Sequence, residues 1–201
     1  LTFSEAVDVE SGNIILYKAS DNSVIETIDV TSEQVTGTGT TQIIINPSSD
    51  LDSSTEYYVQ IDATAFDDAA GNSYAGISDT TTLSFTSVDF VNPTLISSTP
   101  ADEATDIAVD SDIVLTFSEN VDIESGTIDI MVDSNLIESI DVTGAQVTGT
   151  GTTQITINPT ADFINNTDYH LIIDGNAFDD AAGNSYAGIS IDTTLNFTVT
   201  S

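Results

Sequence analysis

Apolar and polar residues alternate with a period of two along most of the chain. This alternation predicts β-strands that bury one face, and the many Thr, Ile and Val residues favour strands. Clusters of Gly, Asn, Asp and Ser interrupt the pattern at short intervals, as turns do. The predicted inward positions are Leu1, Phe3, Ile14, Leu16, Ile43, Ile45, Tyr57, Val59, Ile61, Leu83, Phe85, Ile113, Leu115, Phe117, Ile128, Ile130, Val132, Ile155, Ile157, Tyr169, Leu171, Ile173, Leu195, Phe197 and Val199.

The chain is a tandem repeat. Residues 66–78 read FDDAAGNSYAGIS, and residues 178–190 read the same. Two further blocks recur in the same order, residues 34–43 as 146–155 and residues 1–5 as 115–119. The repeat period of about 110 residues suits a small independent domain and is too long for a solenoid repeat.

The boundary between the repeats is predicted in the segment VDFVNP, which gives domain 1 residues 1–91 and domain 2 residues 92–201. Residues 93–114 precede the second LTFSE block and have no counterpart before the first. We therefore expect domain 1 to lack its N-terminal strand, as in a window cut from a longer array. The alternative is that another molecule supplies this strand, since a missing strand leaves an open sheet edge.

The predicted fold class is all-β. About seven short antiparallel strands in roughly 110 residues are typical of a Greek-key β-sandwich of immunoglobulin type. The chain has no Cys, so the core of each sandwich must be aliphatic and aromatic. Pro47 and Pro159 are expected to end strands, because proline cannot donate to a central ladder.

The charge of the chain excludes several functions. It carries 33 acidic residues against a single Lys or Arg, for a formal net charge of −32. Nucleic-acid binding and attraction to anionic membranes both need a basic surface that Lys18 alone cannot make. No apolar run approaches the length of a membrane span, so direct membrane insertion is not expected. With 39% hydrophobic residues and dispersed acids, the chain is nevertheless not a disordered acidic tail.

A set of short motifs carries a family resemblance. They are Pro93-Thr94, STPAD at 98–102, IVLTFSE at 113–119, AFD at 177–179, AGN at 182–184 and LNFT at 195–198. Together they resemble the bacterial immunoglobulin-like repeat of S-layer proteins and large surface adhesins, often called the SbsA-type domain. The resemblance covers all of domain 2 and the part of domain 1 that follows its absent opening. It implies an extracellular module of the cell surface, without catalysis, whose partners are neighbouring repeats of the same protein.

Acidic residues in two loops and the linker suggest a metal site. In an immunoglobulin-like sandwich the BC loop, here 118–122, and the FG loop, here 179–184, lie at the end where the linker arrives. Clustered carboxylates repel one another without a cation, and Ca²⁺ prefers oxygen ligands. We therefore predict that Ca²⁺ binds at the domain junction and stiffens it. The candidate ligands in this region are Asp89, Asn92, Glu119, Asp122, Asp179, Asp180 and Asn184.

The same loops of domain 1 offer a second set without linker ligands, so that site is expected to be empty or incomplete. This set is Glu5, Asp8, Asp67, Asp68 and Asn72. An alternative is that FDDAAGN is turn chemistry, in which Asp and Asn satisfy backbone groups and Gly takes a positive φ. A further interpretation of the acid surplus is solubility in a saline habitat, where salt screens the charges.

The leading functional hypothesis is a structural spacer in an adhesin, S-layer or filament protein. Catalysis is not expected, because there is no Cys and the only histidine, His170, is predicted to be an exposed strand residue. One alternative is a carbohydrate- or protein-binding module, for which Tyr74 and Tyr186 are the best candidates although we expect them to pack on the sandwich. Another alternative is a filament subunit that self-assembles by strand exchange.

Overall fold

The computed structural model describes residues 1–200, which form two compact units. Unit 1 is Leu1–Asp89, and unit 2 begins at Phe90. Within the described range every regular element is a β-strand, as the alternation predicted. None of these residues forms a helix long and apolar enough to cross a membrane.

Unit 1 contains the strands β1 to β9. In the larger of its sheets the strand order is β3-β2-β7-β9, and a second sheet has the order β5-β1-β8, with β4 and β6 paired separately. The bounds are β1 (Thr2–Val9), β2 (Asn13–Lys18), β3 (Val24–Asp29), β4 (Val35–Thr36), β5 (Thr40–Gln42), β6 (Ile44–Ile45), β7 (Glu56–Ile61), β8 (Phe66–Asp68) and β9 (Ser84–Thr86).

Unit 2 contains the strands β10 to β19. One sheet has the order β10-β12-β16-β15, with β18 also paired to β12, and the other has the order β11-β19-β17-β13-β14. The bounds are β10 (Leu95–Thr99), β11 (Ala104–Ile107), β12 (Ile113–Ile123), β13 (Thr127–Val132), β14 (Asn135–Asp141), β15 (Val147–Thr148), β16 (Thr152–Ile157), β17 (Thr167–Ile173), β18 (Phe178–Asp179) and β19 (Asn196–Val199).

The predicted BC loop is part of a strand. Strand β12 runs without interruption through residues 118–122, and its register with β16 shifts between Thr116 and Val121. A bulge of this kind bends a strand and lets it continue past the edge of its sheet. Strand β12 pairs with β10 before the shift and with β18 after it. Glu119 and Asp122 therefore lie on β12, as Glu5 and Asp8 lie on β1, and not in loops.

The core of unit 2 follows the predicted alternation closely. Every inward position predicted in this unit is buried except Val132, which is half-buried. Aromatic rings anchor the core, with Phe163 and Tyr169 at 4.8 Å and Phe117 and Phe178 at 5.4 Å between ring centroids. Full burial of each such side chain contributes about 1.5–3 kcal/mol, so these positions dominate the stability of the unit.

A repeated glycine explains why the block QVTGTGTTQI occurs in both units. Gly37 and Gly149 have φ of +102° and +111°. A Cβ at either position would collide with the backbone carbonyl oxygen of Gln42 or Gln154 across the turn. The turn therefore requires glycine for both its conformation and its close backbone approach.

The two units bury equivalent phenylalanines to different extents, which leads to the first prediction. Phe197 is 1% exposed, whereas Phe85, at the same place in unit 1, is 40% exposed. Phe197→Ala should lower the free energy of unfolding of unit 2 by about 3–5 kcal/mol. Phe85→Ala should lower that of unit 1 by only about 1–2 kcal/mol, mainly through its lost stacking on Tyr57. Urea unfolding of the full chain, resolved by hydrogen exchange, measures both, and equal losses would contradict the expectation.

Candidate cation site

Asp180 organises the turn that follows β18. Its Oδ1 accepts hydrogen bonds from the backbone N–H groups of Ala182 and Asn184, both at 2.8 Å. Its Oδ2 accepts a third from the side-chain amide of Asn184 at 2.7 Å. Gly183, at φ +86°, completes the reversal. A carboxylate that satisfies two backbone donors and one amide is a structural element of its turn.

The same turn is built in unit 1. Asp68 accepts hydrogen bonds from Ala70 N–H and Asn72 N–H at 2.8 Å and from the Asn72 side-chain amide at 2.7 Å. The hydrogen bond from Asn72 holds the pKa of Asp68 below its ordinary value, because these donors favour the charged form. In both units the DDAAGN sequence therefore forms the hydrogen-bonded turn that was the alternative to a metal site.

Asp179 is the carboxylate of unit 2 that the surrounding groups satisfy least. It lies opposite Asp122 in the pairing of β12 with β18, so two acids occupy directly facing positions. Its Oδ1 is buried and has no hydrogen-bond partner among the described residues. Burial, and then the negative charges of Glu124, Asp180 and Asp122, raise the pKa of Asp179. A cation near this carboxylate would relieve both effects.

Threonine hydroxyls orient the facing acid in each unit. Thr150 Oγ1 donates to Asp122 Oδ1 at 3.0 Å and accepts from the Ile123 N–H at 3.2 Å. In unit 1, Thr38 Oγ1 bonds Asp8 Oδ1 at 3.3 Å and accepts from Val9 N–H. The TGTG turn thus holds one carboxylate of each facing pair in a fixed orientation.

Two carboxylates of unit 2 have a spacing that suits a shared cation. Glu119 and Asp180 each present a carboxylate oxygen, and these two oxygens lie within 4.8 Å of each other. Asp180 is 7% exposed, whereas Glu119 is half-buried. In unit 1, Asp89 accepts hydrogen bonds from the hydroxyls of Ser53 and Ser54, each at 2.8 Å. The pair in unit 2 could hold a metal ion, and hard oxygen donors suit Ca²⁺.

The remaining predicted ligands have other positions. Asn92 is exposed and lines a surface groove with Tyr186, and Asn184 is committed to Asp180 through its amide nitrogen. Among the described residues of unit 1, the predicted set forms no group of three carboxylates at metal-binding spacing. That set was Glu5, Asp8, Asp67, Asp68 and Asn72, of which Glu5 and Asn72 are exposed.

Glu124 lies outside the predicted ligand set, but it affects Asp179. Its negative charge is the largest electrostatic influence on Asp179 after burial. The signal was present in the repeated D-x-E-S-G motif, at residues 8–12 and 122–126. Residues two apart on an extended chain share a face, so this motif directs Asp122 and Glu124 to the same side.

His170 is half-buried and not exposed as predicted. It lies on β17, which has a neighbouring strand on each side. Met131 of β13 and Asn196 of β19 are its register partners. The histidine is thus part of a sheet interior, and its aligned residue in unit 1, Tyr58, is buried and stacks on Tyr17 at 4.8 Å.

A family model described as the bacterial Ig-like domain matches residues 1–87 and 89–199. The chain belongs to this family. Both units are bacterial Ig-like domains, which confirms the predicted all-β tandem sandwiches and the family resemblance. The narrower assignment to the SbsA type stays a prediction.

Two solved structures show a remote likeness to this tandem of bacterial Ig-like domains. One is "Biofilm associated protein - BSP domain", with 14% identity and a TM-score of 0.28 over 96% of this chain and 25% of that one. The other holds the N-terminal four Ig domains of Dscam1 isoform 8.4, with 15% identity and a TM-score of 0.25 over 96% of this chain and 41% of that one. The chain thus spans less than half of either structure. No curated protein sequence matches it.

The raised pKa of Asp179 gives a pH-dependent prediction. A carboxyl whose folded-state pKa is raised stabilises the fold at low pH, and this contribution is lost as pH rises through that pKa. With chelator at pH 7, Asp179→Asn should therefore raise the melting temperature of unit 2 by about 2–4 °C. The gain should vanish below about pH 4, where the native carboxyl is protonated.

Asp67→Asn, at the equivalent position in unit 1, is the matched control for the substitution itself. Differential scanning calorimetry over the pH range measures both variants. A lower melting temperature for Asp179→Asn at pH 7 would show that the carboxylate stabilises the unit in its charged form, contrary to this account.

Proposed function

We propose that this chain is a non-catalytic spacer segment of an extracellular surface protein, such as an adhesin, S-layer or filament protein. The observation that carries the proposal is the duplication of one structural unit, with long blocks of identical sequence. Residues 66–78 and 178–190 are identical, and both halves match the same bacterial family. Duplication of a whole supporting domain lengthens a protein, whereas a ligand site does not require its scaffold to be copied.

The physical basis of the spacer role is that each repeat has its own apolar core. The core of unit 1 and that of unit 2 are separate clusters of buried residues. Each unit can therefore resist unfolding on its own, and a local failure in one repeat does not expose the core of the next. The strongly acidic surface keeps such an array hydrated and hinders aggregation.

We further propose that Ca²⁺ stiffens the junction between successive repeats. The support comes from unit 2, where carboxylate oxygens of Glu119 and Asp180 lie within 4.8 Å of each other. The buried Oδ1 of Asp179, which has no partner in the described part of the chain, adds a second reason for a nearby cation. A divalent ion held by residues from the linker and from the following repeat would restrict bending at that point.

The carbohydrate-binding alternative loses support because its candidate aromatic residues face inward. Tyr186 is 6% exposed and meets Phe117 edge-to-face at 5.1 Å. Tyr74 is half-buried and meets Phe3 in the same way at 5.3 Å. A sugar platform needs exposed ring faces, and these two rings instead close the end of each core.

Thermal melts with and without Ca²⁺ test the cation proposal. Millimolar Ca²⁺ should raise the melting temperature of the full chain by about 5 °C or more, and chelator should reverse the rise. Glu119→Gln should abolish most of this gain because it removes one of the two close carboxylates of unit 2. Glu5→Gln, the equivalent substitution in unit 1, should leave the gain intact.

A comparison of NaCl with Ca²⁺ distinguishes a specific cation site from general charge screening. If NaCl at matched ionic strength gave the same stabilisation as Ca²⁺, the acid surplus would reflect screening alone. Isothermal titration calorimetry of the full chain with Ca²⁺ provides the direct measurement. An absence of binding heat together with unchanged melting would refute the cation site.

The stiffening of the junction can be measured separately from Ca²⁺ binding. The chain has no Cys, so Ser49→Cys and Ser134→Cys place one fluorophore on an exposed turn of each repeat. Single-molecule energy transfer between them should give a narrower distance distribution with Ca²⁺ than with chelator. Ca²⁺ binding with an unchanged distribution would retain the site and contradict its role as a stiffener.

A further inference from the structure

The outward side of one sheet of unit 2 carries no charge in the middle of its strands. In β12 and β16 every second side chain is buried, and the side chains between them point away from the core. The strand register aligns these outward residues in two rows across the sheet. One row is Thr99, Val114, Thr156 and Thr148, and the other is Ser97, Thr116 and Gln154. These seven residues are the neutral face of unit 2.

Unit 1 repeats the neutral face. Strand β1 is the counterpart of β12, and β5 and β6 together are the counterpart of β16. Thr2 lies opposite Gln42, and Thr36 lies opposite Ile44. These four residues and Ser4 are exposed, and none of them is charged. The neutral face is therefore a shared feature of the two repeats.

The acids lie on other parts of the surface. The outward side of the second sheet of unit 2 carries Asp129 on β13 and Asp168 on β17. Asp112, which accepts a hydrogen bond from Asn158 at 2.7 Å, bounds the neutral face at the start of β12. Glu119, in the bulged part of β12, bounds it at the other end. On a chain with a net charge of −32, the neutral face is where another acidic molecule meets the least repulsion.

The side chains of the neutral face can contact a copy of the same face. Hydroxyl and amide groups both donate and accept hydrogen bonds, so two identical faces can satisfy each other. Within one face, Gln154 Nε2 already donates to Thr116 Oγ1 at 3.4 Å. The half-buried Val114 and the 59% exposed Ile44 add apolar surface. Identical surfaces that meet about a two-fold axis form a closed dimer.

We propose that the neutral face is a lateral docking surface, and that its occupant is the neutral face of a second copy of this chain. The like charges of the two copies oppose contact through any surface that is lined with acids. Contact through the neutral faces leaves those acids in water. The distribution of charge thus selects which side of a repeat meets its neighbour. This surface is independent of the spacer role and of the cation.

Other occupants fit the neutral face less well. A basic partner would find no opposite charge there and would bind the acidic surfaces instead. A sugar platform needs exposed aromatic rings, and no residue of the neutral face is aromatic. Pairing of copies through the free edge of β14 is also disfavoured. The bulge opposite Ile130 and Met131, together with the inward-facing Glu138, protects that edge.

Salt should strengthen the proposed contact. Repulsion keeps the copies apart at low ionic strength, whereas at about 1 M NaCl the Debye length falls to about 3 Å. An interface built on ion pairs would weaken under the same change. Sedimentation equilibrium of the full chain should therefore show monomers at about 0.05 M NaCl and a dimer at about 1 M NaCl, with an association constant at least ~10-fold higher. Chelator is present throughout, so the result does not depend on the Ca²⁺ proposal.

Four added acids test where the copies meet. The face variant carries Gln42→Glu, Ile44→Glu, Gln154→Glu and Thr156→Glu, at equivalent positions of the two units. Its association constant at high salt should fall at least ~10-fold, because the contact would bury charges without partners. The control variant adds the same charge at exposed positions of β3 and β14. It carries Val24→Glu, Thr27→Glu, Leu136→Glu and Ser139→Glu, and it should dimerise like the unmodified chain.

Cross-linking gives a measurement that does not depend on added charge. The chain has no Cys, so Gln154→Cys and Leu136→Cys each create a single thiol. With an added oxidant at high salt, Gln154→Cys should form linked dimers at least ~10-fold faster than Leu136→Cys, because only the first thiol would lie in the contact.

Three results would overturn the proposal. One is a chain that remains monomeric at high salt. Another is dimerisation of the face variant to the same extent as the control variant, or equal cross-linking of the two thiols. The third is binding of a neutral polysaccharide that the face variant loses while the unmodified chain forms no dimer, which would assign the neutral face to a glycan.

Discussion

Packing of apolar side chains between two sheets is the interaction on which each repeat depends, because the chain can form no disulfide and few ion pairs. It has no Cys, and Lys18 is its single Lys or Arg residue. The ammonium of Lys18 lies 3.0 Å from Asp52, whose side chain is 68% exposed, and water and salt screen an exposed pair of this kind so that it contributes little to stability. The strict alternation of inward Ile, Leu, Val, Phe and Tyr therefore supplies the stability that disulfides provide in many small domains of oxidising compartments.

With so few cations available, the fold uses its own N–H and O–H groups to satisfy the carboxylates. Asp29 and Asp141 each accept a hydrogen bond from the hydroxyl and another from the N–H of the threonine two residues later, and these bonds lower the pKa of both acids. Asp68 and Asp180 likewise accept hydrogen bonds, from the Ala and Asn residues of their own turns. The acids are thus structural parts of the turns, and the negative charge of the surface follows from how the strands are connected. Asp179 departs from this scheme because its buried oxygen faces other carboxylates.

The sequence predicted the strands well because the period of a strand is two, and one buried face suffices to reveal it. Ile155 and Ile157 on β16 are fully buried as expected. The site was harder to predict. The bulge in β12 leaves no trace in the alternation, so the sequence predicts a loop at residues 118–122, where the strand in fact continues. Residue types alone also do not show that Asp180 already accepts three hydrogen bonds within its turn. His170 was placed outside because alternation along one strand carries no information about its neighbours on either side.

The segment 93–112, which contains β10 and β11, affects folding as well as the native state. During folding, this segment can pair with either of two stretches that have the same LTFSE sequence, at residues 1–5 and 115–119. Pairing with the nearer stretch closes a loop of roughly 15 residues, and pairing with the farther stretch closes a loop of roughly 90 residues. The longer loop costs roughly 1–2 kcal/mol more in conformational entropy. Swapped pairing between neighbours is a characteristic error of repetitive proteins. The segment is thus directed to its own repeat by proximity along the chain and not by any difference between the two LTFSE stretches. Repeats of similar sequence therefore remain compatible with correct folding.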